Sequence, residues 1–122
     1  NSSEVLELKR LLNRLILLAE SQTIPSASSL EQNYPNPFNP ETWIPYQLNE
    51  ASEATITIYD AQGRVVKRID LGYQSAGTYR TRARAAYWDG RNAVGESVTS
   101  GVYYYTIQAG GFTATRKMLL MK

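Results

Sequence analysis

Three arginines alternate along one stretch, Arg80, Arg82 and Arg84. On a strand they would share a face, and a basic ridge of that kind could hold an anionic lipid or a sugar phosphate. The plainer reading is a solvated strand face. Asp89, Asn92 and Glu96 offer hard oxygen donors in a glycine loop, as calcium requires. Their spacing is not that of an EF-hand, and Arg91 places a positive charge among them, so no metal is expected. Glu41, Glu50, Glu53, Asp60 and Asp70 are carboxylates that no spacing pairs for acid–base work. The chain has no histidine, the commonest general base near neutral pH, and no cysteine, hence no thiolate, no disulfide and few zinc options. Neither a catalytic residue nor a cofactor is expected.

Bulk properties narrow the class further. A length of 122 residues with 43% hydrophobic content suits one domain with a single core. A net charge of +2 gives no general basic excess, which argues against nucleic acid as a partner. Nine tyrosines against two phenylalanines suit half-buried strands, with the ring inside and the hydroxyl in water. No run of apolar residues is long enough for a membrane helix. The sequence opens at Asn1 without a signal peptide, so it reads as part of a longer chain whose leader would lie upstream.

These residues fall into three zones. Residues 1–20 predict an amphipathic helix: Val5, Leu8, Leu12, Leu15 and Ala19 recur at spacings of three and four, widened by Leu11, Ile16 and Leu18. Its apolar stripe must find a partner surface, either its own sandwich, a preceding domain or another copy through self-association. Residues 21–41 read as a linker ending in a proline-rich turn, with Tyr34 and Phe38 as its anchors. Residues 42–122 predict short strands between glycine turns: 42–48, 54–59, 64–71, 78–88, 102–109 and 112–121. The fold class is therefore mainly β, an antiparallel immunoglobulin- or fibronectin-III-like sandwich of about seven strands behind one helix. Ile44, Tyr46, Leu48, Ile56, Ile58, Trp88 and Leu119 are its expected core. Tyr103, Tyr104 and Tyr105 span both faces of one strand, which would fill the core or build an aromatic platform for glycan.

The block Asn33-Tyr34-Pro35-Asn36-Pro37-Phe38-Asn39-Pro40 resembles the opening of the type A C-terminal sorting domains of the bacterial type IX secretion system. The resemblance continues through Ile58-Tyr59-Asp60 with Gly63-Arg64, Trp88-Asp89-Gly90, Ser100-Gly101-Val102-Tyr103 and the lysine-bearing end from Arg116 to Lys122. The second half is also similar to the immunoglobulin-like domain of the flagellar hook-capping protein. Between Gly77 and Trp88 this sequence is longer than the pattern, which predicts a longer strand or a bulge. The resemblance implies a non-catalytic module that directs a larger exported protein through periplasm and outer membrane to the cell surface. Its implied partners are the outer-membrane secretion machinery and an upstream cargo domain of the same polypeptide. The implied sorting residues are Pro35, Asn36, Pro37, Phe38, Gly101, Tyr103, Lys117 and Lys122. The alternative is a stalk, or a glycan- or protein-binding immunoglobulin-like module. A sorting domain would end its protein, and the sequence stops at Lys122.

Overall fold

The computed structural model describes residues 2–21 and 24–122, and the side chains of residues 2–14 and 24–122. One helix, α1 (Ser2–Ser21), precedes nine strands: β1 (Ser29–Leu30), β2 (Thr42–Ile44), β3 (Tyr46–Leu48), β4 (Ser52–Tyr59), β5 (Val65–Gln74), β6 (Gly77–Tyr79), β7 (Ala86–Trp88), β8 (Gly101–Ala109) and β9 (Phe112–Leu120).

Four long strands form one antiparallel sheet in the order β5-β4-β8-β9. Period-two alternation sets its faces. Ala54, Ile56 and Ile58 of β4, Tyr103, Tyr105 and Ile107 of β8, and Met118 and Leu120 of β9 are buried on the inner face. The outer face carries Thr55, Thr106 and Thr115, the last two joined hydroxyl to hydroxyl at 2.7 Å.

The opposing layer consists of two small sheets, β1-β3-β6 and β2-β7. They are one pair of chain segments interrupted at the same level. Pro45 has no N–H to donate and separates β2 from β3. Opposite it, pairing passes from Ile44 against Ala86 to Tyr46 against Tyr79, so residues 80–85 loop out. Counting each interrupted pair as one strand gives the seven-stranded sandwich that the alternation predicts. The continuous strand expected over 78–88 is instead two short strands around the 80–85 turn, so the extra length forms a loop and not a longer strand or a bulge.

The core joins both layers: Ile44, Tyr46, Leu48, Ile56, Ile58 and Trp88 are all buried there. Leu119 is the correction. Its neighbours Met118 and Leu120 fill the core, and Leu119, one residue out of phase, sits half-buried on the other side. The part of the expected linker from Ser29 on packs into the sandwich, because β1 starts at Ser29 and Leu30, Asn33 and Phe38 are buried.

The helix forms as its periodicity predicts, but the sandwich leaves its described side chains exposed. Every described side chain from Ser2 to Arg14 is exposed, including Val5, Leu8 and Leu12. The part of the stripe at Leu15, Ile16, Leu18 and Ala19 lies outside the described side chains.

Candidate functional site

The proline-rich block and the last strand, distant in sequence, meet at one edge of the large sheet. β9 bonds β8 through one side of its backbone, with Gly101 opposite Leu120 and Tyr103 opposite Met118. Its other side receives the block. The Leu119 N–H donates to Asn36 Oδ1 at 3.0 Å. The Phe38 N–H donates to the Leu119 carbonyl and the Met121 N–H to the Phe38 carbonyl, each at 3.0 Å. Phe38 and Leu120 thereby form an isolated parallel bridge. An edge strand left bare would expose a row of backbone donors and acceptors; here two residues of the block satisfy that row over 119–121.

The block is held in place from inside. Asn33 is buried, and its side-chain N–H groups donate to Thr42 Oγ1 at 2.9 Å and to the Pro35 carbonyl at 3.2 Å. Its backbone N–H donates to the Tyr105 hydroxyl at 2.9 Å, which in turn donates to the Glu31 carbonyl at 2.7 Å. Gln32 Nε2 reaches both Asn33 Oδ1 at 2.6 Å and the Lys117 carbonyl at 2.9 Å. Burial pushes the Tyr105 phenol up to about 12. No buried side-chain polar atom among the described residues lacks a partner, as a specific rather than a loosely collapsed interior requires.

Below the block, Phe38 packs on Trp88 with ring centroids 5.7 Å apart, and Trp88 meets Tyr103 edge-on at 5.6 Å. Trp88 Nε1 donates to the Arg91 carbonyl at 2.9 Å. Gly90 lets the following loop close over the block. A Cβ there would stand 2.5 Å from the Pro40 carbonyl oxygen, and its φ of +77° is left-handed.

Of the residues singled out in the sequence, Asn36, Phe38, Gly101, Tyr103 and Lys117 thus come together at one end of β8 and β9. Pro35, Asn36 and Pro37 are exposed on its rim. Phe38 and Tyr103 are buried, with the Tyr103 hydroxyl donating to the Thr99 carbonyl at 2.6 Å, so they build the edge rather than face a partner. Lys117 is exposed on the outer face beside Tyr104. Lys122 is exposed too, and its backbone N–H donates to Ser100 Oγ at 2.9 Å. Asn33 and Thr42 were not singled out, and Tyr105 only as a core or platform residue rather than as a partner of the block. Asn33 stood in the quoted block, but nothing local marks its partners 9 and 72 positions away.

The arginines do not form a ridge. The 80–85 turn sends them to separate partners. Arg80 binds Glu31 at 2.5 Å and Gln47 at 3.0 Å, and the carboxylate raises its pKa further. Arg82 lies 4.2 Å over the Trp43 ring and Arg84 4.6 Å over the Tyr79 ring. Each is a cation–π or ion pair of the kind that fixes a loop. Tyr103 and Tyr105 are core, so an aromatic platform of three adjacent tyrosines does not exist; Tyr104 alone is exposed.

The polar loops bind themselves. Asn92 Oδ1 accepts from the Val94 and Glu96 N–H groups, and Asp89 Oδ1 from the Arg91 N–H. No cluster of three or more metal-ligating side chains occurs among the described residues. A shallow cleft between the β4–β5 turn and the loop before β8 contains Asp60 and Arg64. The Arg64 backbone N–H, then its side chain, hold the Asp60 carboxyl below its usual pKa. A carboxylate so held is a turn-former, not a proton donor.

The model of the FlgD Ig-like domain matches residues 39–111. The chain belongs to the FlgD Ig-like domain family. Solved structures similar to it include dimeric latent PorU from Porphyromonas gingivalis, at 16% identity and a TM-score of 0.56 over 80% of this chain and 10% of that one. PorZ from the same organism, an essential bacterial surface component of the type-IX secretion system, aligns at 19% identity and a TM-score of 0.50 over 84% and 12%. FlgD from P. aeruginosa is 31% identical with a TM-score of 0.48 over 60% and 56%. The chain thus spans about a tenth of PorU and PorZ and about half of FlgD. No curated protein matches it. At these identities PorU and PorZ share the immunoglobulin-like fold. The FlgD Ig-like match leaves out residues before 39 and after 111, and these are the two segments that bond each other at the β9 edge.

Proposed function

We propose that the chain is a non-catalytic sorting and anchoring module of type A, which directs a larger exported protein through the outer membrane to the cell surface. The observation that carries this reading is the latch between Asn36–Phe38 and Leu119–Met121. It joins the two segments outside the FlgD Ig-like match into one rim that presents Pro35, Pro37, Lys117 and Lys122 to solvent. A structural domain needs only a capped edge; a rim of exposed prolines and lysines on a fixed backbone is also something a receptor can read. PorZ, a surface component of the type-IX secretion system, having the same fold supports the assignment to that route. The secretion machinery is then the partner and the cell surface the destination. No described helix is long and apolar enough to cross a membrane. Membership of the FlgD Ig-like family favours the second reading, a stalk or binding module, since the match itself ends before β9.

The Lys117 side chain separates address from fold. It is exposed and its backbone carbonyl, not its ammonium, holds Gln32. Lys117→Ala in a secreted fusion is expected to lower surface delivery several-fold while the melting temperature stays within a degree or two, as surface substitutions usually do. Equal delivery of Lys117→Ala, alone and combined with Lys122→Ala, would remove the lysines from the address and favour the binding-module reading.

A further inference from the structure

We propose that α1 is a self-association seam, through which two copies of this chain pair as a parallel coiled coil. The helix gathers most of its apolar residues on one side of its axis and most of its charges on the other. With Val5 at heptad position a, Leu8 is d and Leu12 is a, and the sequence continues the series with Leu15 and Ala19. Glu7, Arg10, Asn13 and Arg14 all fall at b, c and f, on the far side. Leu6 at b is the one large apolar residue off the seam among the described side chains.

Val5, Leu8, Leu11 and Leu12 are 53%, 58%, 48% and 49% exposed, so the chain's own sandwich leaves this face open. An exposed stripe of this size needs a cover. The flanking charges specify a second copy rather than an arbitrary apolar surface. In a parallel pair, position g of one helix meets position e five residues on in the other, and these are Glu4 and Lys9. The opposite charges meet twice, once on each side of the seam. In an antiparallel pair Lys9 would not face Glu4. A β-branched residue at a with leucine at d, as Val5 and Leu8 provide, favours two parallel strands. At 20 residues the helix is about 30 Å long, roughly three heptads, so the association is weak and depends on concentration.

The whole chain tests this by sedimentation equilibrium across a thousandfold concentration range. The expected result is a monomer mass when dilute, rising towards twice that mass. Leu8→Glu with Leu12→Glu should hold the mass at monomer throughout, and the melting temperature of the sandwich should not change, because these side chains are exposed and lie outside its core. A constant monomer mass for the parent would overturn the proposal. So would association that survives Leu8→Glu with Leu12→Glu, since it would run through another surface. The chain has no cysteine, so a second readout is available that does not rely on a variant losing its helix. Val5→Cys, on the seam, should oxidise to a covalent dimer many-fold faster than Asn13→Cys, on the far side. Equal rates would overturn the parallel seam.

Discussion

Trp88→Ala is expected to destabilise the sandwich by about 3–5 kcal/mol, the usual cost of emptying a buried tryptophan site. The side chain is 1% exposed at the C-terminal end of β7 and is the largest in the core. It supports Phe38 on one side and Tyr103 on the other, and its indole N–H ties down the loop at Arg91. Removing it therefore loosens more than one contact. The latch on β9 depends on Phe38, and Phe38 leans on Trp88. A loss of that size is comparable to the whole stability of many domains of this length. Urea unfolding followed by far-UV circular dichroism measures it. Trp88→Phe keeps a ring in place, so it should cost less, about 1–3 kcal/mol, from the Arg91 carbonyl left without its donor and the smaller volume filled. An unchanged urea midpoint for Trp88→Ala would contradict the placement of the core.

Stability should also fall steeply in alkali, between about pH 10 and pH 12. Two buried phenols carry the effect. Burial raises the Tyr105 pKa from its ordinary value of 10.0 to about 12, and burial likewise raises that of Tyr46, with Tyr79 beside it. The folded state thus holds these protons more tightly than the unfolded chain does. Their contribution is fully present below the unfolded value near 10 and is lost as pH rises through the folded values. For Tyr105 alone a shift of this size corresponds to roughly 2–3 kcal/mol. The site of failure is specific, because a Tyr105 phenolate could no longer donate to the Glu31 carbonyl. Tyr105→Phe should be less stable than the parent at neutral pH, having lost its bonds to Glu31 and Asn33, yet should lose less on going to pH 12. Urea midpoints that stay level from pH 9 to pH 12 would contradict the buried, hydrogen-bonded state of these phenols.

Much of the sandwich is legible in the sequence because its long strands alternate cleanly. Ala54, Ile56 and Ile58 point in while Thr55 and Tyr59 point out, and β8 repeats the pattern with Tyr103, Tyr105 and Ile107. The same argument fails for β9, where Met118 and Leu120 fill the core in place of the expected Leu119, since both faces of that strand turn apolar near its end. Other features depend on partners that no local pattern reveals. Arg80, Arg82 and Arg84 alternate as a strand face would, but Pro45 on the facing segment breaks the ladder, and the loop that results scatters them. Asn33 looks like a turn residue among prolines. Its place as a buried hydrogen-bond centre is set by Thr42 and Tyr105, which only the folded chain brings to it. The helix stripe is plain in the sequence, whereas the open solvent beside it is not.

Under the proposed sorting role, the address is expected to be a folded edge, in which the proline-rich block fixes the last strand, and not a linear tail. Truncating the last six residues would be a poor test, because Met118 and Leu120 are buried and their loss would unfold the edge itself. The direct measurement compares two periplasmic reporters in a host with a type IX secretion system, one carrying residues 33–122 at its C-terminus and one carrying residues 112–122 alone. Surface-exposed reporter is counted on intact cells by protease accessibility. The account predicts that the 33–122 fusion reaches the surface and the 112–122 fusion remains inside. Retention of both would contradict the sorting assignment, and equal delivery of both would contradict the folded edge as its address.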